Sequence, residues 1–348
     1  MIEQFDSWLA ADGPVALTIN EAYIPVSGAG SVFFPPTFAQ EEGSKEKPTY
    51  SIDNGVCIVD TVGSQANRIE PIFQKVPYRG LVPQVTVKIS EQRSVNLLDA
   101  GHRAADAVVR FSSIWKTFRE AFLAYRETGQ SQKLAKIAPT SLVFGVWDSR
   151  DTQAKLPRLI SSTIRAKETQ LLKRSAQYFS SIEEDDREAL GIDATALGDK
   201  EFPSQVGLVD NPSGRAPGGV IAAGGIKREA VLNLVALRAL AGGSPEETLT
   251  LRRYILGLAL VAFAAPCELY LRQGCLLCID PAEKPERKVI KRDGTRSDVP
   301  DLAEAVVLAY AQAAAAAFGV GEDKEASFDP KMVKEALESK KAKKKVKT

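Results

Sequence analysis

The chain has 348 residues, 44% of them hydrophobic and 26% charged, and its formal net charge is +1. This is the composition of a globular protein with a sizeable core, and the near-zero charge excludes an overall basic field that would attract nucleic acid. Four cysteines in a chain of this length do not suit an extracellular disulfide scaffold.

Two segments bear on where the protein works. Residues 1–6 are acidic where a secretory signal would be basic and then apolar. The longest apolar run, 254–266, is shorter than the about 20 residues that a membrane span needs. We therefore expect a reduced, cytoplasmic protein that does not contact a membrane.

Hydrophobic periodicity and turn residues predict an α+β core in which strands and helices interleave. The predicted strands cover 15–24, 56–59, 85–89, 142–147, 158–164 and 269–279. The predicted helices cover 62–73, 101–126, 228–240, a segment that begins after Ser244, and 302–318. A loop insertion near 28–54 and a longer insertion at 180–227 interrupt this core. The last ten residues contain six lysines, and we expect a disordered basic tail over 321–348.

Residues that commonly carry catalysis are scarce. The single histidine, His102, would have to serve any Ser-His-Asp or Cys-His device. Cys275 and Cys278 have C-x-x-C spacing, but a zinc site needs four ligands and no second pair lies near them in the sequence. We interpret both as small core residues, and we expect no enzymatic activity, cofactor or metal.

A glycine-rich segment begins at Gly218 and Gly219 and ends in Lys227 and Arg228. It departs from the Walker pattern because Ile226 stands directly before the lysine. Two interpretations stay open. Backbone N–H groups approach phosphates while the two basic residues supply charge, or the segment is a flexible hairpin whose charges are solvated.

Basic residues also cluster in two other segments. Between residues 150 and 174, which include Arg158, there are seven Lys or Arg and two acidic residues. The segment after His102 adds five basic residues against two acidic ones before residue 127. Such stripes suit an anionic nucleic-acid backbone, although solvated helix faces have the same pattern.

Six segments, in this order, resemble the RAMP-superfamily backbone subunit of the type I CRISPR Cascade, in the subtype called I-U or I-G. They are FPPTF at 34–38, DTVGSQANRIE at 60–70, HRAADA at 102–107, LVFGVWDS at 142–149, GVIAAGGIKR at 219–228 and LRRYILGLAL at 251–260. The resemblance spans roughly residues 10–320 and leaves out the lysine-rich tail and the loop around Lys45.

This resemblance implies a ferredoxin-like, RRM-related palm with large insertions, formed by residues 1–179 and 228–320, and a thumb-like hairpin at 180–227. Backbone subunits of this superfamily stack on copies of themselves as a filament along CRISPR RNA, and we expect this chain to be a non-catalytic subunit of that kind. The guide bases stay exposed to pair with target DNA, and other Cascade subunits complete the particle.

The resemblance also implies which residues contact RNA. In this family a Ser-Gln-x-x-Lys/Arg segment at the start of the first helix grips guide phosphates, and Ser64, Gln65 and Arg68 stand at its positions. A helix N-terminus suits this role because its N–H groups and dipole attract anions. The full set of expected RNA contacts is Ser64, Gln65, Asn67, Arg68, His102, Arg103, Arg158, Arg215, Gly218, Gly219, Lys227 and Arg228. Because no run of aromatic residues of the RRM kind is present, we expect recognition of backbone shape and charge rather than base stacking on the sheet.

Two alternatives remain at this stage. Related backbone subunits of type III complexes cut RNA with a loop aspartate, and Asp53 is the candidate here. It also begins the turn sequence Asp53-Asn54-Gly55, which is the interpretation we favour. The other alternative is a small-molecule enzyme that uses the glycine-rich segment to bind a phosphorylated substrate.

Overall fold

The computed structural model describes residues 2–38, 49–191, 208, 211–266, 268–300 and 302–345. Its strands are β1 (Ala16–Pro25), β2 (Thr37–Phe38), β3 (Thr49–Tyr50), β4 (Ile52–Asp53), β5 (Val56–Asp60), β6 (Val85–Lys88), β7 (Ser94–Asn96), β8 (Val146–Trp147), β9 (Lys155–Leu156), β10 (Ile160–Ala166), β11 (Thr169–Tyr178), β12 (Asn211–Ala222), β13 (Ile226–Asn233), β14 (Tyr270–Arg272), β15 (Cys275–Ile279), β16 (Glu286–Ile290), β17 (Arg296–Asp298) and β18 (Lys324–Ser327). Its helices are α1 (Asp6–Leu9), α2 (Val62–Ile69), α3 (Ala107–Arg110), α4 (Trp115–Thr128), α5 (Gln132–Ile137), α6 (Thr140–Phe144), α7 (Glu184–Ala189), α8 (Leu234–Arg238), α9 (Pro245–Ala264), α10 (Glu304–Phe318) and α11 (Pro330–Lys345). Single 3-10 turns cover Glu70–Gln74, Arg79–Leu81, Leu97–Asp99 and Arg103–Ala105.

The central element is β1, whose alternating buried residues line one face of a curled antiparallel sheet. The strand order is β14-β15-β1-β13-β10-β5-β4, and β16 pairs with β1 beside β15. In β1, residues 16–23 pair with residues 233–226 of β13, whose other edge pairs with β10. The chain is therefore mixed α and β, as the sequence predicts.

Helices cover one face of this sheet and enclose the main apolar core. The longest of them, α9, begins where the Ser244 side chain accepts a hydrogen bond from the N–H of Glu247, with Pro245 in the first turn. Helix α10 can approach α9 closely at Gly257, where a Cβ atom would lie 2.9 Å from the Cα of Ala311. In the described part of the chain, no helix is both long and apolar enough to cross a membrane.

A long hairpin projects from the connection between β10 and β13. Its strands β11 and β12 pair from Thr169 and Ala222 outward. Near its base, Phe33 forms a β-bridge with Val220, and the N–H of Thr169 donates to the carbonyl of Gly55. The insertion therefore begins about eleven residues earlier than the predicted 180, while 192–207 and 209–210 lie outside the described residues.

The predicted end of this insertion and the helix predicted at 228–240 both need correction. Lys227 and Arg228 lie inside β13, and helix begins only at Leu234. Burial alternates along this segment, as it does in a strand: Ile226, Arg228 and every second residue to Leu232 are buried on one face of the sheet. The backbone pairs with β1 on one edge and with β10 on the other. Cross-strand pairing thus overrides the local helical pattern.

The helix predicted over 101–126 is interrupted, so His102 and Arg103 do not open a long helix. Asp106 caps the short α3 by accepting from the N–H of Val108, and α4 follows only from Trp115. Between them the backbone bonds to the C-terminal segment, with the N–H of Ser113 donating to the carbonyl of residue 327. A long-range contact therefore breaks a helix whose apolar periodicity is continuous.

The strand predicted at 142–147 is wrong for most of its length. Residues 140–144 form α6, all of it buried, and Gly145 with φ of 77° ends the helix before β8. A short apolar run buried on every side has no alternation, so periodicity alone cannot separate strand from helix.

The predicted tail also differs from the structure. Strand β18 runs parallel to β6, and α11 follows it to Lys345. Only 346–348 of this segment lie outside the described residues. The strands predicted at 15–24, 56–59, 85–89 and 158–164 and the helices at 62–73 and 302–318 are confirmed to within a few residues.

Candidate nucleic-acid interface

A basic cleft of about 410 Å³ lies beside the first turn of α2. Its walls are formed by the turn at 101–102 with the start of the 3-10 turn Arg103–Ala105, the end of α6, and the two-stranded ribbon β8–β9. The lining residues are Gly101, His102, Arg103, Gly145, Val146, Trp147, Ser149, Lys155, Leu156, Pro157 and Arg158. This described lining has no carboxylate and exposes the cations Lys155 and Arg158, which makes it a suitable surface for an anion.

Arg158 is the exposed arginine of this cleft, and α6 and α2 position it. The stem of its side chain packs against Gly145, where a Cβ atom would lie only 2.6 Å from the Arg158 Cγ. A Cβ atom at Gly63, in the first turn of α2, would lie 4.0 Å from the guanidinium Nη2. Partial burial, with Arg103 close by, lowers the pKa of Arg158. An arginine beside another arginine and the positive end of a helix is favourable when an anion occupies the space between them.

Arg103 forms the floor of the cleft and is 4% exposed. It has a left-handed backbone, with φ of 51°. Its Nε lies 2.6 Å from Glu70 Oε2, and its Nη2 donates to Asn67 Oδ1 at 3.0 Å. Burial raises the pKa of Glu70 to about 7, although Arg103 acts in the opposite direction. Arg103 is therefore held by Glu70 and Asn67 and supports the floor of the cleft, while Arg158 and Lys155 face the solvent.

The outer wall of the cleft carries Trp147, which is not among the predicted RNA contacts. Its side chain is 56% exposed, and the Nζ of its cross-strand partner Lys155 lies over the ring, 5.4 Å from the centroid. The signal in the sequence is an aromatic residue three positions before the basic segment at 150–174. A buried strand over 142–147, as the sequence predicts, would place this side chain in the core and hide the signal.

The predicted residues of α2 lie at different depths. Ser64 is half-buried in the first turn, where its N–H donates to the Thr61 side chain at 3.2 Å. Asn67 is exposed next to the cleft. Arg68 turns away from the cleft, because its Nε donates to Asp60 at 3.2 Å and its Nη2 to a backbone carbonyl of β14 at 2.8 Å.

Gln65 and Arg228 belong to a buried polar layer that also contains Glu21, Asp60 and Ser162. Gln65 Nε2 donates to Asp60 Oδ2 at 2.6 Å, and the Ser162 hydroxyl donates to Gln65 Oε1 at 2.9 Å. Arg228 donates through Nε to Ser162 at 3.0 Å and through Nη1 to Glu21 at 2.9 Å. Gln65 and Arg228 are 1% and 2% exposed, so their side chains tie four strands and α2 together inside the protein.

The glycine-rich segment is a strand end and a turn rather than a loop around an anion. Gly218 and Gly219 lie in β12, where a Cβ atom at Gly219 would come within 2.4 Å of the Val32 side chain. Lys227 forms an ion pair with Glu283 at 2.8 Å. The adjacent cavity of about 500 Å³ also receives Glu168 and Asp280, so carboxylates outnumber the single lysine among its described lining residues. This environment disfavours a phosphate.

Two further predicted features can be located. Arg215 lies in β12, but its side chain lies outside what the structure describes. On the solvent face of the sheet, Arg165 pairs with Glu229 at 2.8 Å, and Lys288 pairs with Asp298 at 2.8 Å. Charges on this face are therefore largely compensated, unlike those in the basic cleft.

Asp53 forms the hairpin turn that the sequence predicts. Asp53 pairs with Val56, and the two residues between them, Asn54 and Gly55, have φ of 46° and 75°. Positive φ at both central residues is the signature of a type I′ turn.

The cysteines that the structure describes are core or near-core residues. Burial raises the pKa of the Cys275 thiol to about 12 and that of Cys57 to about 11. Cys278 is a free, half-buried thiol, and Cys267 lies outside the described residues. Buried protonated thiols of this kind are poor nucleophiles.

A family model described as CRISPR-associated protein GSU0053 matches residues 17–170. Over these residues the chain is similar to a CRISPR-associated protein family. The matched range covers less than half of the chain but includes β1 from Leu17 onward, α2 and every residue that lines the basic cleft. No curated protein matches the chain.

Proposed function

We propose that the chain is a non-catalytic, CRISPR-RNA-binding backbone subunit of a type I interference complex, of the RAMP superfamily and of subtype I-U or I-G. The observation that carries this proposal is the basic cleft at the start of α2, which lies wholly within the range similar to a CRISPR-associated family. In this proposal Arg158 and Lys155 bind guide phosphates in the cytoplasm, next to the positive N-terminal end of α2.

Strand connectivity supports a ferredoxin-like palm as the framework. The four strands β16, β1, β13 and β10 lie side by side, and each neighbouring pair is antiparallel. The link from β1 to β10 contains α2, and the link from β13 to β16 contains α9. Two such crossovers on one sheet are the pattern of the split βαβ fold.

The β11–β12 hairpin supports the filament part of the proposal. It leaves the sheet between β10 and β13, the position of a thumb, and exposes Leu171, Tyr178 and Phe179 by 41%, 52% and 65%. Exposed apolar side chains on a projecting hairpin are suited to contact with another subunit. Copies of the chain along one guide, with other Cascade subunits at the ends, would leave the guide bases free to pair with target DNA.

The test is to express the protein with and without a CRISPR array and to extract the nucleic acid that copurifies. We expect RNA of defined length in a multi-subunit particle only when the array is present. A double variant, Lys155→Ala with Arg158→Ala, should lose this RNA. The matched control is Arg165→Ala with Lys167→Ala, which removes two cations paired with Glu229 on the sheet face. A particle that retains its RNA in the cleft variant, or a protein free of nucleic acid in both expressions, would contradict the proposal.

A further inference from the structure

We propose that Trp147 is a stacking platform for one unpaired nucleobase at the mouth of the basic cleft. This inference rests on the proposed function, since the base belongs to the same single-stranded RNA whose phosphates the cleft binds. It adds a base contact where the sequence predicts recognition of backbone shape and charge alone.

The exposure of Trp147 sets it apart from the other tryptophans. Trp8 and Trp115 are 5% and 8% exposed and pack in the main core, whereas Trp147 is 56% exposed. An indole loses favourable burial when it is left in water, at about 25 cal/mol for each Å² of apolar surface. A large aromatic surface at the wall of a basic cleft therefore indicates a ligand with an apolar, planar part.

The protein holds this indole on a rigid support. Trp147 and Lys155 are paired residues of the β8–β9 ribbon. The next residue, Asp148, is fully buried, and its carboxylate accepts from the N–H and hydroxyl of Thr152, both at 2.7 Å, and from Arg110 at 3.0 Å. A second arginine contact comes from Arg126, which donates to the Thr152 carbonyl at 2.7 Å. These bonds close the loop between the two strands, so the platform is fixed before a ligand binds.

The charges around the indole match the two parts of a nucleotide. Lys155 lies over the ring, and Arg158 and His102 line the same cavity. A base stacked on Trp147 would place its phosphates next to these side chains. Aromatic platforms beside a positive groove are the usual way to bind single strands, and they accept any base because every base has a π face. A double helix, whose bases are already stacked, would not use this platform.

The experiment compares two single-stranded RNA probes of equal length, an oligouridine and its fully abasic analogue, which keeps the phosphates. Binding of the purified chain is measured by fluorescence anisotropy at fixed salt. We expect Trp147→Ala to weaken binding of oligouridine by roughly 5- to 150-fold and to leave binding of the abasic probe unchanged. Trp147→Phe should retain most of the affinity for oligouridine, because a ring remains.

A matched control removes another exposed aromatic side chain. Tyr270 is 50% exposed on β14, away from the cleft, and Tyr270→Ala should change neither affinity. Intrinsic fluorescence gives a second measurement, since oligouridine should quench the exposed Trp147 in the wild type and leave the signal of Trp147→Phe unaltered.

The outcomes separate the two proposals. If Trp147→Ala weakens both probes equally, the indole acts only by holding Lys155, and the stacking platform is refuted. If all variants bind oligouridine as the wild type does, stacking is refuted while RNA binding stands. If the wild type binds neither probe at low salt, RNA binding itself is refuted and the platform with it.

Discussion

Removing the charge of Arg158 gives the most direct test of the basic cleft. The cleft exposes two positively charged side chains, Lys155 and Arg158, whereas Arg103 is buried against Glu70. Each phosphate that a protein neutralises on a single strand contributes about −0.7 to the slope of log affinity against log salt. The two cations should therefore contribute about −1.4, and Arg158→Ala should leave about −0.7.

This difference is large enough to measure. Between about 50 and about 200 mM salt, the wild-type cleft should lose about sevenfold in affinity for a single-stranded RNA, and Arg158→Ala only about threefold. The assay is fluorescence anisotropy with labelled RNA at several KCl concentrations. Arg158→Lys should keep the wild-type slope, because it keeps the charge.

Arg165→Ala is the matched control for this slope. Arg165 belongs to the same basic segment at 150–174 and lies on β10. It pairs with Glu229 at 2.8 Å on the solvent face of the sheet. Its removal should leave the slope unchanged. A slope that Arg158→Ala does not alter, or that both variants reduce equally, would refute a binding site in the cleft.

Three further predictions concern stability. Asp148→Ala should lower the free energy of unfolding, measured in urea, by about 3–5 kcal/mol, because it leaves the Arg110 charge without its buried partner. The control Asp151→Ala removes the half-exposed ion pair with Arg119 and should cost under about 1 kcal/mol. Equal losses in the two variants would refute the reasoning. The pKa of Glu70 is about 7 in the folded state against a usual 4.5, so the folded state binds the proton more tightly, and stability should fall as pH rises between these values. Glu70→Gln should remove that part of the pH dependence in urea titrations, and an unchanged profile would contradict it. Gly219→Ala, at φ of 104°, should lower stability by about 1–3 kcal/mol in thermal unfolding, and a neutral result would show that the hairpin base rearranges freely.

Local patterns in the sequence determined much of the framework. The β-branched and apolar residues of 15–24 predict β1, and the Ser244-Pro245 pair predicts the start of α9, because strand propensity and helix capping act within a few residues. The Asn54-Gly55 turn was predictable for the same reason, since glycine next to asparagine favours positive φ. The same patterns failed at 101–126 and 142–147, where contacts between distant segments or burial on all sides decide the conformation.

Which basic residues are free to bind a ligand was decided by tertiary structure. Arg228 and Glu21 are 207 residues apart in the sequence and form an ion pair inside the sheet, while Arg68 is held by Asp60 and a carbonyl of β14. Arg158 is left facing a cleft without a carboxylate in its described lining. A sequence counts positive charges, but the free energy of each charge depends on partners that folding brings within a few ångströms. For that reason the sequence could only propose a set of candidate contact residues, and the fold decides which of those side chains face the basic cleft.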